Sequence, residues 1–190
     1  MSIMRSDAKK NYDHLLTVAS DLLSKGGADA SLRDIARTAG VGLGTLYRHF
    51  PTRDALLEAL LRARFDELTV RAGELEKSST PGAALAAWLR ETVAIAHAYS
   101  GSITAMVAAI EDGVSPLHAS CLTMRTAGAQ LLVRAQTAKQ ARDDVDGADL
   151  FALVGALSWV ADQPALASRS DRIFDIVTGA VLIPPIDLES

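Results

Sequence analysis

SLRDIARTAGVGLGTLYRHFPTRD, residues 31–54, decides how the rest of the chain is read. It divides into two short helices joined by a tight turn. Ser31 suits an N-cap, and Asp34 stands three residues on, where a reciprocal capping carboxylate belongs. Leu32, Ile35, Ala36 and Ala39 recur at helical spacing and give one apolar face. Gly40 then predicts a left-handed stop, because a residue without Cβ enters that conformation at low cost. Val41 and Gly42 make the turn. The second helix runs from Leu43 to Phe50, with Leu43, Leu46 and Phe50 inward, and Pro51 ends it. Helices this short are not stable alone in water, so neighbours must pack against them.

The outward residues of the second helix are hydroxyls, a phenol, an imidazole and a guanidinium: Thr45, Tyr47, Arg48 and His49. All donate hydrogen bonds to phosphate or base edges. The plain alternative is a helical hairpin inside a bundle, with Tyr47 half-buried. Upstream, residues 1–6 read as a frayed arm, and a helix from Asp7 to Lys25 carries Tyr12, Leu15, Leu16, Ala19, Leu22 and Leu23 on one face. Gly26 and Gly27 close it. Lys9 and Lys10 could reach a backbone phosphate or simply be solvated. Downstream, Thr52 can cap a helix running through Leu57, Leu61, Phe65 and Leu68 towards Leu75. At 1.5 Å per residue that helix spans about 35 Å and would act as a lever. Three helices thus form a head over residues 1–53, with a body over residues 54–190.

The string AGVGLGTLYRHFPTRDALL, residues 39–57, closely resembles the DNA-binding signature of TetR-type transcriptional regulators. The resemblance is strong over residues 8–62; beyond them it rests on helix count and a looser likeness in RDDVDGADLFALVGAL, residues 142–157. It implies a helix-turn-helix head in the major groove of an operator half-site. By that resemblance Thr45 contacts bases or phosphate, and Tyr47 and His49 bind phosphate. Arg53 opens the fourth helix on the backbone, Arg33 makes a further phosphate contact, and Arg48 occupies a variable base-reading position. Gly42 departs from a frequent serine cap and Leu43 from a frequent lysine.

Charge is placed accordingly. The chain of 190 residues has a formal net charge of −4. Residues 1–53 hold eight Lys/Arg against five Asp/Glu, and residues 54–190 hold eleven against eighteen. The basic excess lies on the head, and the acidic body would stay off DNA. Nearly half the residues are apolar and aromatics are few, which suits an all-helical protein of about nine helices. One cysteine, Cys121, excludes an internal disulfide. Neither a signal peptide nor a run long enough to span a bilayer is present, so the expected location is the cytoplasm.

In the body, Pro81 starts a helix marked by Leu85, Trp88, Thr92, Ile95 and Tyr99. A short helix, Ile103–Glu111, follows. The longest helix is expected over Pro116–Arg142, with a seam of Leu117, Cys121, Met124, Gly128, Leu131, Ala135 and Ala138. Asp146 opens a helix apolar nearly all round, and Ser170 opens the last, which Pro184–Pro185 closes. A helix apolar on every side needs cover on more than one side. A second copy could supply it in an isologous contact through Phe151, Val154, Leu157, Ile173, Val177 and Val181; burial within one subunit is the alternative. Gly155, Ala156, Gly179 and Ala180 would allow close approach.

The resemblance also implies a homodimer on a near-palindromic double-stranded operator, and a repressor released by a small apolar or amphipathic effector. Trp88, Tyr99, Met106, Met124 and Trp159 are candidate pocket liners, although such residues commonly just fill a core. No cofactor, metal site or membrane partner is expected, and no catalytic residues. Cys121 with His118 lacks an orienting group and an oxyanion donor. A DNA-binding regulator without a ligand remains the alternative function.

Overall fold

The computed structural model describes residues 2–26, 31–78 and 80–183. Among them the regular structure is helical: α1 (Ser2–Gly26), α2 (Leu32–Thr38), α3 (Leu43–His49), α4 (Arg53–Ser78), α5 (Pro81–Ala98), α6 (Ser100–Ala105), α7 (Val107–Glu111), α8 (Pro116–Thr137), α9 (Gly147–Asp162) and α10 (Ser170–Val181). A 3₁₀ turn, Ala167–Arg169, precedes α10. The all-helical class expected from composition and periodicity is the one observed. None of the described helices is long and apolar enough to cross a membrane.

Local signals form as their chemistry dictates. Ser31 Oγ accepts from the Asp34 N–H at 3.1 Å and donates to Asp34 Oδ2 at 2.6 Å. Gly40 takes φ +67°. Its N–H donates to the Arg37 carbonyl at 3.1 Å, and the Val41 N–H to that of Ala36 at 3.0 Å, a Schellman closure of α2. Thr52 Oγ1 accepts from the Ala55 N–H at 3.0 Å and starts α4. Asp146 and Asp149 form a reciprocal capping box on α9.

Three boundaries differ from expectation. The helix expected from Asp7 begins at Ser2, since no glycine or proline interrupts residues 2–25. The helix expected over Ile103–Glu111 is two, α6 and α7, interrupted at Met106, whose N–H is shared between the Ser102 and Ile103 carbonyls. The helix expected to reach Arg142 stops at Thr137, and α4, at 26 residues, is longer than its 22. There Lys139 adopts φ +58° while the Gln140 N–H donates to the Ala135 carbonyl at 2.8 Å. Long-range pairing holds the stop: the Arg142 N–H donates to the Val181 carbonyl and the Ile183 N–H to that of Gln140, both at 3.0 Å. The stops at Gly27 and at Pro184–Pro185 lie outside the described residues.

The chain divides into two compact units, Met1–Ala63 with Ala98–His118, and Arg64–His97 with Ala119–Ser190. In the first, α1 packs on α2 and α2 on α3. Its core comprises Leu15, Ala19 and Leu23 of α1, Ile35 and Ala36 of α2, Leu46 of α3, Phe50, and the Leu56, Leu57, Leu60 and Leu61 run of α4. Residues 98–118 add buried Tyr99, Ser102, Met106 and Leu117. This division cuts the sequence differently from the head and body expected at residues 1–53 and 54–190.

The second unit centres on Trp88, which is fully buried. Its indole N–H donates to the Leu68 carbonyl at 2.9 Å, and its ring meets Phe151 edge-on at 5.9 Å. Gly128 of the expected seam is buried against that ring: a Cβ there would lie 2.3 Å from Trp88 Cη2. Leu131, Leu132, Ala135, Leu150, Val154, Leu157, Phe174 and Val181 complete this core.

Candidate nucleic-acid interface

Packing of α1 on α2 and of α2 on α3 fixes α3, which is only seven residues long. Leu46 and Phe50 anchor it inward. Positions 44, 47 and 48 then share the opposite face by their three- and four-residue spacing. Gly44 is exposed there, Tyr47 is 46% exposed, and Arg48 is exposed. Arg48 lies along its own helix, with Nε donating to the Gly44 carbonyl and Nη2 to Thr45 Oγ1, both at 3.2 Å.

The remaining expected contacts belong to the same unit. Thr45 and His49 of α3 are half-buried, as is Arg53 at the start of α4, and Arg33 of α2 is exposed. The His49 ring stands edge-on to Tyr12 of α1 at 6.0 Å, and Tyr12 also packs against Phe50 at 5.0 Å. α1 therefore supports the end of α3. Lys9 is engaged with Asp13 at 2.8 Å, and Lys10 is exposed.

Two neighbours escaped the sequence reading. Gly44 leaves the outer surface of α3 open, with nothing within 4 Å of where its Cβ would be. A glycine inside a helix costs about 1 kcal/mol relative to alanine, and that cost was the available signal. Arg37 is exposed but bound to Asp34 at 2.8 Å. The Ser31 hydroxyl and, less strongly, Arg37 hold the Asp34 carboxyl below its ordinary range.

The five candidate pocket residues are divided between the two units. Tyr99 and Met106 belong to the first unit, and Trp88, Met124 and Trp159 to the second. Four are buried, while Trp159 is 60% exposed on α9. Two cavities occur elsewhere in the second unit. One, open and about 530 Å³, is bounded by α5 at Gly82, Ala83 and Ala86, by Gln140, and by Gly179 and Leu182. The other, about 180 Å³, is lined by apolar Val93, Leu157, Ala161 and Phe174 and by polar Arg90, His97, Ser170 and Asp171. Arg90 stacks over the Phe174 ring at 4.1 Å and donates to Asp175 at 2.7 Å; His97 Nδ1 lies 2.7 Å from Asp162 Oδ1.

Of the six residues expected between two copies, Val154, Leu157 and Val181 are buried inside the second unit. Phe151, Ile173 and Val177 are half-buried. α9 and α10 turn a different stripe outward: Ala152, Gly155, Ala156 and Trp159, with Ile176, Gly179 and Ala180. Cys121 is half-buried, and burial pushes its thiol up, against an opposing pull from Arg125.

Similarities to known proteins cover two stretches of the chain. Residues 15–60 match the profile of bacterial regulatory proteins of the tetR family. Residues 80–179 match the C-terminal domain of SbtR-like transcriptional regulators. A TetR transcriptional regulator of Streptomyces coelicolor is 34% identical, covering 91% of this chain and 99% of that one, with a TM-score of 0.73. A TetR regulatory protein of Mycobacterium vanbaalenii is 30% identical over 95% and 99% of the two chains, with a TM-score of 0.70. An HTH-type transcriptional regulator of Staphylococcus aureus is 36% identical over 78 residues, 40% of this chain and 41% of that protein. With matched head and body profiles and whole-chain structural relatives, this chain belongs to the TetR family of bacterial regulatory proteins.

Proposed function

We propose that the protein is a cytoplasmic repressor that binds a near-palindromic DNA operator as a homodimer and leaves it when a small effector binds. The observation that carries the reading is the exposed face of α3, where Tyr47 and Arg48 flank the side-chain-free surface of Gly44. Donors that hold phosphate, beside a glycine that lets the groove edge come close, suit a reading helix better than a solvated surface. Arg33, Thr45, His49 and Arg53 complete the DNA contacts in this reading, and Arg48 exchanges its bonds within α3 for a base edge.

The homodimer forms through the outward stripe of α9 and α10, whose Trp159 and Ile176 are 60% and 61% exposed. Large apolar side chains beside a run of Gly and Ala fit a close isologous helix contact. The effector is small and amphipathic, and it enters the cavity whose apolar lining lies beside Arg90 and His97. The fully packed Trp88 favours the second reading, a DNA-binding regulator without a ligand. Footprinting on the gene's own upstream DNA, then screening compounds for release, separates the two. No footprint refutes operator binding there; a footprint that no compound relieves favours the ligand-free regulator.

A further inference from the structure

Ser20 and Tyr99 fall in separately matched stretches of sequence, 79 positions apart, yet their hydroxyls are 2.7 Å apart. Both side chains are buried, at 5% exposure each. α5 ends at Ala98, and Tyr99 leaves helical geometry with φ −115° and ψ 18° before α6 begins. Tyr99 is therefore where the chain returns to the unit that contains the reading helix. Ser102, Met106 and Leu117 are buried in the same returning stretch. Ser20 stands on α1 eight residues, about 12 Å, from Tyr12. Tyr12 in turn packs against His49 and Phe50 at the end of α3. One rigid helix thus connects the buried hydroxyl pair to the reading helix.

We propose that the Ser20–Tyr99 hydrogen bond is a latch that holds α1, and through it α3, in the arrangement DNA binding needs. Tyr99 is then a positioning residue for operator recognition although it touches no DNA, and the working head is residues 1–63 closed by residues 98–118. The inference rests on the DNA-binding reading above and adds to it a residue outside the helix-turn-helix.

The test uses the full chain and a duplex selected from a random pool by the wild type. Tyr99→Phe and Ser20→Ala should each weaken binding about fivefold to tenfold, the size of one buried hydrogen bond. Tyr99→Phe should cost less in a Ser20→Ala background than in the wild type, because the bond the two hydroxyls share is already gone there. Sequence preference should not change, and Ser20→Thr, which keeps a hydroxyl, should retain affinity. Amide exchange should quicken in α1–α3 and stay unchanged in α8–α10. Full affinity in both single variants, or losses that simply add, would overturn the latch. If the wild type selects no duplex, the DNA-binding reading fails, while the exchange comparison still decides whether the pair holds α1.

Discussion

Gly128→Ala sets two known effects of opposite sign against each other at one backbone atom. In an open helical site, alanine for glycine stabilises by about 1 kcal/mol. At Gly128 the new Cβ would lie 2.3 Å and 2.5 Å from Trp88 Cη2 and Cζ3. Those atoms belong to a rigid, fully buried ring held by its bond to the Leu68 carbonyl and by Phe151, so the ring has nowhere to turn. Forcing extra volume into such a core costs about 1–3 kcal/mol, and two contacts this short place the cost at the upper end. The net expectation is destabilisation by about 2 kcal/mol, or a fall in Tm of about 4–8 °C for a chain of this size. Gly73→Ala provides the control. It lies inside α4 with nothing within 4 Å of its Cβ direction. It should raise Tm by about 2–4 °C. Melting followed by circular dichroism at one protomer concentration compares the two, because concentration shifts the Tm of an oligomer. In a Trp88→Phe background the penalty at position 128 should shrink, since phenylalanine lacks the outer indole atoms that clash. A Gly128→Ala variant melting at or above the wild type would refute the seating of Trp88 on α8.

Tyr47→Ala should weaken binding to all operators by roughly 1–2 kcal/mol per half-site, whereas replacing Arg48 should change which sequence is preferred; competition among selected duplexes reads both. With about three phosphates neutralised per subunit, log affinity should fall against log salt with a slope of roughly −5 to −7, and Arg53→Ala should flatten it by about two units in a dimer. An unchanged slope would remove Arg53 from the backbone contact. Ile176→Asp puts a charge on the outward stripe and should give a folded monomer in sedimentation, while Val181→Asp, at a buried position, should cost stability as well. The Cys121 thiol, pushed up by burial, should react with iodoacetamide more slowly than a free cysteine. Its rate should rise only at higher pH, because the thiolate is the reacting form. A profile matching free cysteine would place that side chain in solvent.

What lay in the sequence was governed by neighbours three to six residues apart. Ser31 with Asp34, Gly40, Thr52 and the Leu32–Ile35–Ala36 spacing act through adjacent turns of backbone, and each formed as read. The same short range made the helix-turn-helix string and its family resemblance legible. Tertiary structure decided the rest. Periodicity showed that α9 and α10 are apolar, but Gly155 and Trp159 face outward while Leu157 and Val181 face inward only because other helices cover one side. α8 stops at Thr137 among residues compatible with a helix, and its stop is held by bonds from Gln140 and Arg142 to a segment some forty residues later. Nothing in the sequence order joined the Tyr99 hydroxyl to that of Ser20, a partner 79 residues away. Helix capping and spacing are set by bonds a chain makes with itself within a turn, so sequence order records them. Which face is covered, and which buried hydroxyl meets which, depends on distances that exist only once the helices have packed.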